Sequence, residues 1–112
     1  MRKTINVDGK DIPLRASGAT PEKYKAYFGQ ELLDDFFKVT DSFNKSETIS
    51  SDTLGIVKRI MYIMAKQADK EIPDDYIDWL DQFDNFPVEA IAVDVITLFA
   101  NSLKTSVEPK NV

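Results

Sequence analysis

The chain has 112 residues, a formal net charge of −5, 43% hydrophobic residues, and neither cysteine nor histidine. This length suggests one domain with a single modest core, and the charge disfavours nonspecific nucleic-acid binding. Lack of Cys and His excludes disulfides, thiolate nucleophiles and Cys-type zinc sites, and removes the usual neutral-pH general base. A reducing cytoplasm fits that composition. No apolar run is long enough to span a membrane, and the start, MRKTINVDGK, has no apolar segment of the kind a secretory signal needs. The charge is uneven: residues 1–68 hold eleven bases and nine acids, whereas residues 69–89 hold eight acids against Lys70 alone.

In chain order, residues 3–7 and 10–14 read as a β-hairpin around Asp8-Gly9, a pair that tolerates positive φ at both positions. A two-residue loop sets Val7 opposite Lys10, Ile5 opposite Ile12 and Lys3 opposite Leu14. Ile5, Val7, Ile12 and Leu14 then share one face, and Pro13 marks an edge. A lone hairpin is marginal in water. That apolar face must therefore pack on the helices or pair with a second chain, so these four residues are candidates for self-association. Arg2, Lys3, Lys10 and Arg15 offer either a basic edge for a partner or simple protection of the edge.

Thr20 is a candidate N-cap, with Pro21 at the first helical position and Glu22 in the first turn. That helix carries Tyr24, Tyr27 and Phe28, and Gly29 is placed to end or bend it. A second helix has Leu32, Phe36, Val39 and Phe43 on one stripe, with Leu33 and Phe37 beside it. Asn44 to Ser51 is a loop, and Ser50 or Ser51 caps the next helix. There Leu54, Val57, Met61, Met64 and Ala68 form a stripe that Ile56, Ile60 and Ile63 widen. So broad a face calls for more than one neighbour. The chain breaks at Asp69 to Pro73, and Tyr76, Trp79, Leu80 and Phe83 then recur at helical spacing. Pro87 starts a last helix with Val88, Ile91, Ala92, Val95 and Phe99 on its inner stripe. The expectation is a mainly α (α+β) domain over residues 1–104, with about five helices, an N-terminal β-hairpin, and a flexible tail at 105–112.

Nothing in the chain marks a catalytic, metal or cofactor site. Asp34-Asp35 and Asp74-Asp75 are adjacent on helices, so neither pair faces itself as a carboxylate dyad; solvated surface is the better account. The acidic run lacks the alternating ligands and the glycine of an EF-hand loop. Met61 and Met64 could line an adaptable groove, although plain core is the commoner outcome at this spacing; the same holds for Trp79.

The residues alone point to a non-enzymatic binding module. Two groups of motifs sharpen this. One is YIMAKQAD over residues 62–69, then Ile72-Pro73-Asp74-Asp75 and DWLDQF over 78–83. The other is Val7-Asp8-Gly9-Lys10, Ala19-Thr20-Pro21, Tyr24 and Phe28-Gly29. In this order and spacing they resemble the tail assembly chaperones of long-tailed phages of Gram-positive bacteria, over most of residues 3–83. Lys25 and Gln30 stand where that family often has Arg. The resemblance implies a protein of the bacterial host's cytoplasm that is absent from the finished virion. Its implied partners are the hydrophobic tape measure protein and the tail-tube protein, with no cofactor, nucleic acid or membrane; further copies of itself are the expectation drawn from the hairpin. The residues nominated for partner contact are Tyr24, Tyr27, Phe28, Met61, Met64, Tyr76 and Trp79. The family is often made in two lengths through a ribosomal slip, and Pro109-Lys110-Asn111 can be encoded by an adenine run that permits one. The reading from another class is a small acidic regulator, a DNA mimic or host-enzyme inhibitor, suggested by the cluster from Asp69 to Glu89.

Overall fold

The computed structural model describes residues 1–45 and 50–103. The expected tail at 105–112, with the Lys110-Asn111 join, lies outside the described residues, as does the middle of the loop after Asn44. The order is β1 (Arg2–Val7), β2 (Lys10–Arg15), α1 (Thr20–Phe28), α2 (Leu32–Asn44), α3 (Ser51–Ala68), α4 (Tyr76–Leu80) and α5 (Val88–Ser102). Among the described residues this is an α+β fold of five helices and one antiparallel hairpin.

The hairpin has the register that the two-residue turn demands, with Ile5 opposite Ile12 and Val7 opposite Lys10. Asp8 and Gly9 both take positive φ, 54° and 79°, which matches the strand twist. At the open end the Met1 amine donates to the Ala16 carbonyl at 2.8 Å, and the Ala16 N–H donates back to Met1 at 2.8 Å. The tip is tied to the chain after α4. Lys10 Nζ donates to the Gln82 carbonyl at 2.9 Å, and the Asp84 N–H donates to the Asp8 carboxylate at 3.1 Å.

The hairpin's apolar face is not available for self-association. Ile5, Val7, Ile12 and Leu14 are all buried, because β2 lies on α3 and β1 meets α5. Of the two ways to stabilise a lone hairpin, this chain uses its own helices.

The central helix α3 is covered on nearly all sides, packing against β2, α1, α2, α4 and α5. From Ile56 to Ala65 only Lys58 and Arg59 escape full burial. Ser50 caps it, its side chain accepting from the Thr53 N–H at 3.2 Å. Thr20 departs from its expected capping role. It is the first residue of α1, and Ala19 is the cap. Its hydroxyl instead accepts from the Ser17 N–H at 2.9 Å and donates to Gln67 Oε1 at 2.7 Å. Gly29 ends α1 at φ 73°, where a left-handed residue is needed. α4 is shorter than its periodicity suggests. It stops at Leu80, and Phe83 reaches the core from the following turn. Asp75 caps its start, accepting from the Asp78 N–H at 3.0 Å. Among the described residues, no helix is long and apolar enough to cross a membrane.

Candidate functional site

The residues nominated for partner contact fall into two groups. Met61 and Met64 are fully buried in α3 and are core. Tyr24, Tyr27, Phe28, Tyr76 and Trp79 come together in one aromatic cluster, joined by a residue that sequence reasoning passed over, Tyr62. Tyr27 and Phe28 meet at 4.6 Å between centroids, Phe28 and Tyr76 at 5.3 Å, Tyr62 and Tyr76 at 5.5 Å, and Tyr62 and Trp79 at 5.4 Å. Trp79 continues the cluster to Phe83 and Phe86. Most of these pairs are edge-to-face or tilted, geometry worth about 0.5–1.5 kcal/mol each beyond area burial. The cluster is mainly structural: Tyr24 and Trp79 have no exposed surface, whereas Tyr27 is 47% exposed. Tyr62 had a sequence signal. It lies between stripe residues of a helix apolar on most sides, and such a helix has no free face to spare.

The cluster also ties the α3–α4 turn to α1. The Tyr62 hydroxyl donates to the Pro73 carbonyl at 2.6 Å. The Tyr27 hydroxyl donates to the Asp74 carbonyl at 2.8 Å and accepts from the Tyr76 N–H at 3.0 Å. Lys66 Nζ donates to the Ile72 carbonyl at 2.7 Å and pairs with the Asp74 carboxylate. Burial raises the Tyr24, Tyr62 and Tyr76 phenols above their ordinary pKa, so all three stay protonated at neutral pH, and the Tyr24 and Tyr62 hydroxyls serve as donors.

Beside this lattice α1 and α3 leave an open cleft of about 420 Å³, with Ala26, Tyr27, Tyr62 and Ile63 on its walls and Lys23, Lys66, Gln67 and Asp74 around it. A second hollow of about 330 Å³ shares Lys23, Lys66 and Gln67 and adds Arg15 and Lys70. Together they make a partly apolar groove with a basic border. That arrangement suits an amphipathic segment carrying carboxylates.

On the other side of α1 the structure corrects the reading of Asp34-Asp35 as solvated surface. Asp34 is exposed, but Asp35 is 4% exposed and accepts from the Tyr24 hydroxyl at 2.7 Å. Arg59 Nε donates to the same hydroxyl at 3.4 Å, and Lys38 lies 3.8 Å from the Asp35 carboxylate. A buried carboxylate needs such partners. Nothing local in the sequence marks Asp35 as buried, because Tyr24 reaches it from α1 and Arg59 stands behind that hydroxyl from α3. Leu33 and Phe37, one turn apart on α2, stay 42% and 61% exposed. Comparison with protein families, curated proteins and solved structures found no match for this chain.

Proposed function

We propose that this chain is a tail assembly chaperone that binds and solubilises the tape measure protein while the tail is built, in the cytoplasm of the host cell, and leaves before the virion is complete. The observation that carries the reading is the meeting of the two motif groups. Residues 7–29 and 62–83 are distant in sequence, yet motif residues of the two groups meet. Thr20 holds Gln67, Phe28 packs on Tyr62 at 6.4 Å between centroids, and Lys10 donates to the Gln82 carbonyl. A motif set that forms one unit is better explained by a shared fold than by chance spacing.

The client surface we assign is the exposed apolar pair Leu33 and Phe37. A holdase needs apolar side chains in solvent that cost little to expose, and modest affinity per copy can be raised by many copies along one client. Co-expression with the tape measure protein of the same genome is expected to raise that protein's soluble yield and to give a complex that co-purifies. Phe37→Ser together with Leu33→Ser should leave folding nearly unchanged and lower the recovered complex several-fold. Failure of the unaltered chain to co-purify or to improve solubility would sink the assignment. A full yield with the double variant would move the client surface elsewhere.

A further inference from the structure

The acidic segment of residues 69–89 borders the basic groove between α1 and α3 at Asp74. Asp74 lines the groove and stands immediately before the α4 cap. From there α4 presents a face centred on Ile77, which is 69% exposed, with Asp78 beside it and Asp81 one turn on. Residues 71–84 contain no Lys or Arg. The groove is the converse: apolar walls at Ala26, Tyr27 and Ile63, and Lys23, Lys70 and Arg15 at its border.

Neither surface is neutralised within the chain. Among the described residues the ion pairs are Lys3–Asp94, Lys25–Glu31, Lys38–Asp35, Lys45–Asp41 and Lys66–Asp74. Arg15, Lys23 and Lys70 therefore have no carboxylate partner there, and Asp75, Asp78 and Asp81 have no cation. An apolar key ringed by unpaired acids and an apolar slot ringed by unpaired bases are complementary in both charge and polarity. Such matching sets orientation and excludes wrong registers.

We infer that a second copy of this chain occupies the groove, the α4 face of each protomer lying in the α1/α3 groove of the other about a two-fold axis. Because the two patches adjoin, one rotation brings both contacts together, and each interaction is made twice. Ile77 seats against Tyr27 and Ile63, while Asp78 and Asp81 reach Lys23 and Lys70. This interface leaves Leu33 and Phe37 on α2 free, so it stands whether or not the client is the tape measure protein.

Sedimentation of the full chain alone, without any client, tests the inference. The expected result is a monomer–dimer equilibrium whose dissociation constant rises at least about tenfold from roughly 0.05 M to roughly 0.5 M NaCl, as screening weakens the charge matching. Reversing the acids, Asp78→Lys with Asp81→Lys, should give a monomer. Reversing the bases, Lys23→Glu with Lys70→Glu, should do the same. All four side chains belong to the polar surface, and circular dichroism checks that each variant is folded. Mixed in equal amounts, the two variants should dimerise again, because each altered face then meets its complement. A parent that stays monomeric at low salt overturns the inference. So do a dimer indifferent to either reversal and a mixture that remains monomeric.

Discussion

The bond between Tyr24 and Asp35 gives the sharpest test of how this core is built. Tyr24→Phe removes one oxygen and leaves the ring in place, against Phe28 at 5.3 Å and fully buried. No cavity of consequence forms, so the change isolates the hydroxyl's bonds, the short one to Asp35 and the longer one from Arg59 at 3.4 Å. The hydroxyl meets a carboxylate that is 4% exposed, at 2.7 Å. A hydrogen bond to a charged group is worth about 1.5–3 kcal/mol, and most of that loss is the cost of leaving the buried acceptor unsatisfied. Lys38, at 3.8 Å and largely in solvent, compensates little. At about 4 °C per kcal/mol for a domain of this size, the Tm should fall by roughly 6–12 °C. Urea unfolding followed by the fluorescence of the single Trp79 measures the loss directly. The second arm is Asp35→Ala in both backgrounds. Once the hydroxyl is gone, removing the carboxylate should cost much less than it does in the parent, giving a coupling of at least about 1 kcal/mol. A Tyr24→Phe protein within about 0.5 kcal/mol of the parent, or strictly additive losses, would refute the account of Asp35 as a carboxylate held by Tyr24.

Trp79→Ala should cost about 3–5 kcal/mol in urea unfolding, because the ring is fully buried against Tyr62, Phe83 and Phe86; an unchanged midpoint would mean that the ring is a surface contact. Ile5→Asp should act on folding before it acts on assembly, since it puts a carboxylate 5% exposed into the hairpin–helix core; a fully cooperative melt at the parent temperature would return the hairpin to the role of a free face. The raised phenols set an alkaline limit. Tyr24, Tyr62 and Tyr76 hold their protons more tightly folded than unfolded, so their contribution is complete below the ordinary value of 10.0 and is lost as the pH climbs above it. Phenolate absorbance from these residues should therefore appear together with loss of the near-ultraviolet signal of Trp79, and the appearance of all the phenolates at pH ~11 with that signal intact would contradict it.

Most of the local structure could be read from the chain because its causes are local. Asp8-Gly9 dictates the hairpin turn, and the turn dictates the register. Gly29 ends α1, Ser50 caps α3, and the stripes of α3 and α5 show which faces are inside, because side-chain periodicity is a property of the backbone alone. Where two local signals competed, the nearest partner in space decided. Thr20 could have capped α1, but Gln67, forty-seven residues away, takes its hydroxyl. Phe83 has helical spacing, yet α4 ends before it, since burial of the ring does not require the backbone to stay helical. The site depended on tertiary structure more strongly. Sequence could nominate aromatic residues but could not separate the buried Tyr24 and Trp79 from the half-exposed Tyr27, which differ only in what packs over them. Leu33 and Phe37 read as an extension of a buried stripe, and no neighbour arrives to cover them. Asp35 read as surface, and the approach of Tyr24 and Arg59 from two other helices makes it part of the interior. The acid-rich segment was plain in the sequence. Its basic counterpart was not, because Arg15, Lys23, Lys66 and Lys70 are spread over residues that meet only when α1 lies against α3. Charge runs along the chain are visible in one dimension; a charged surface exists only once the chain has folded.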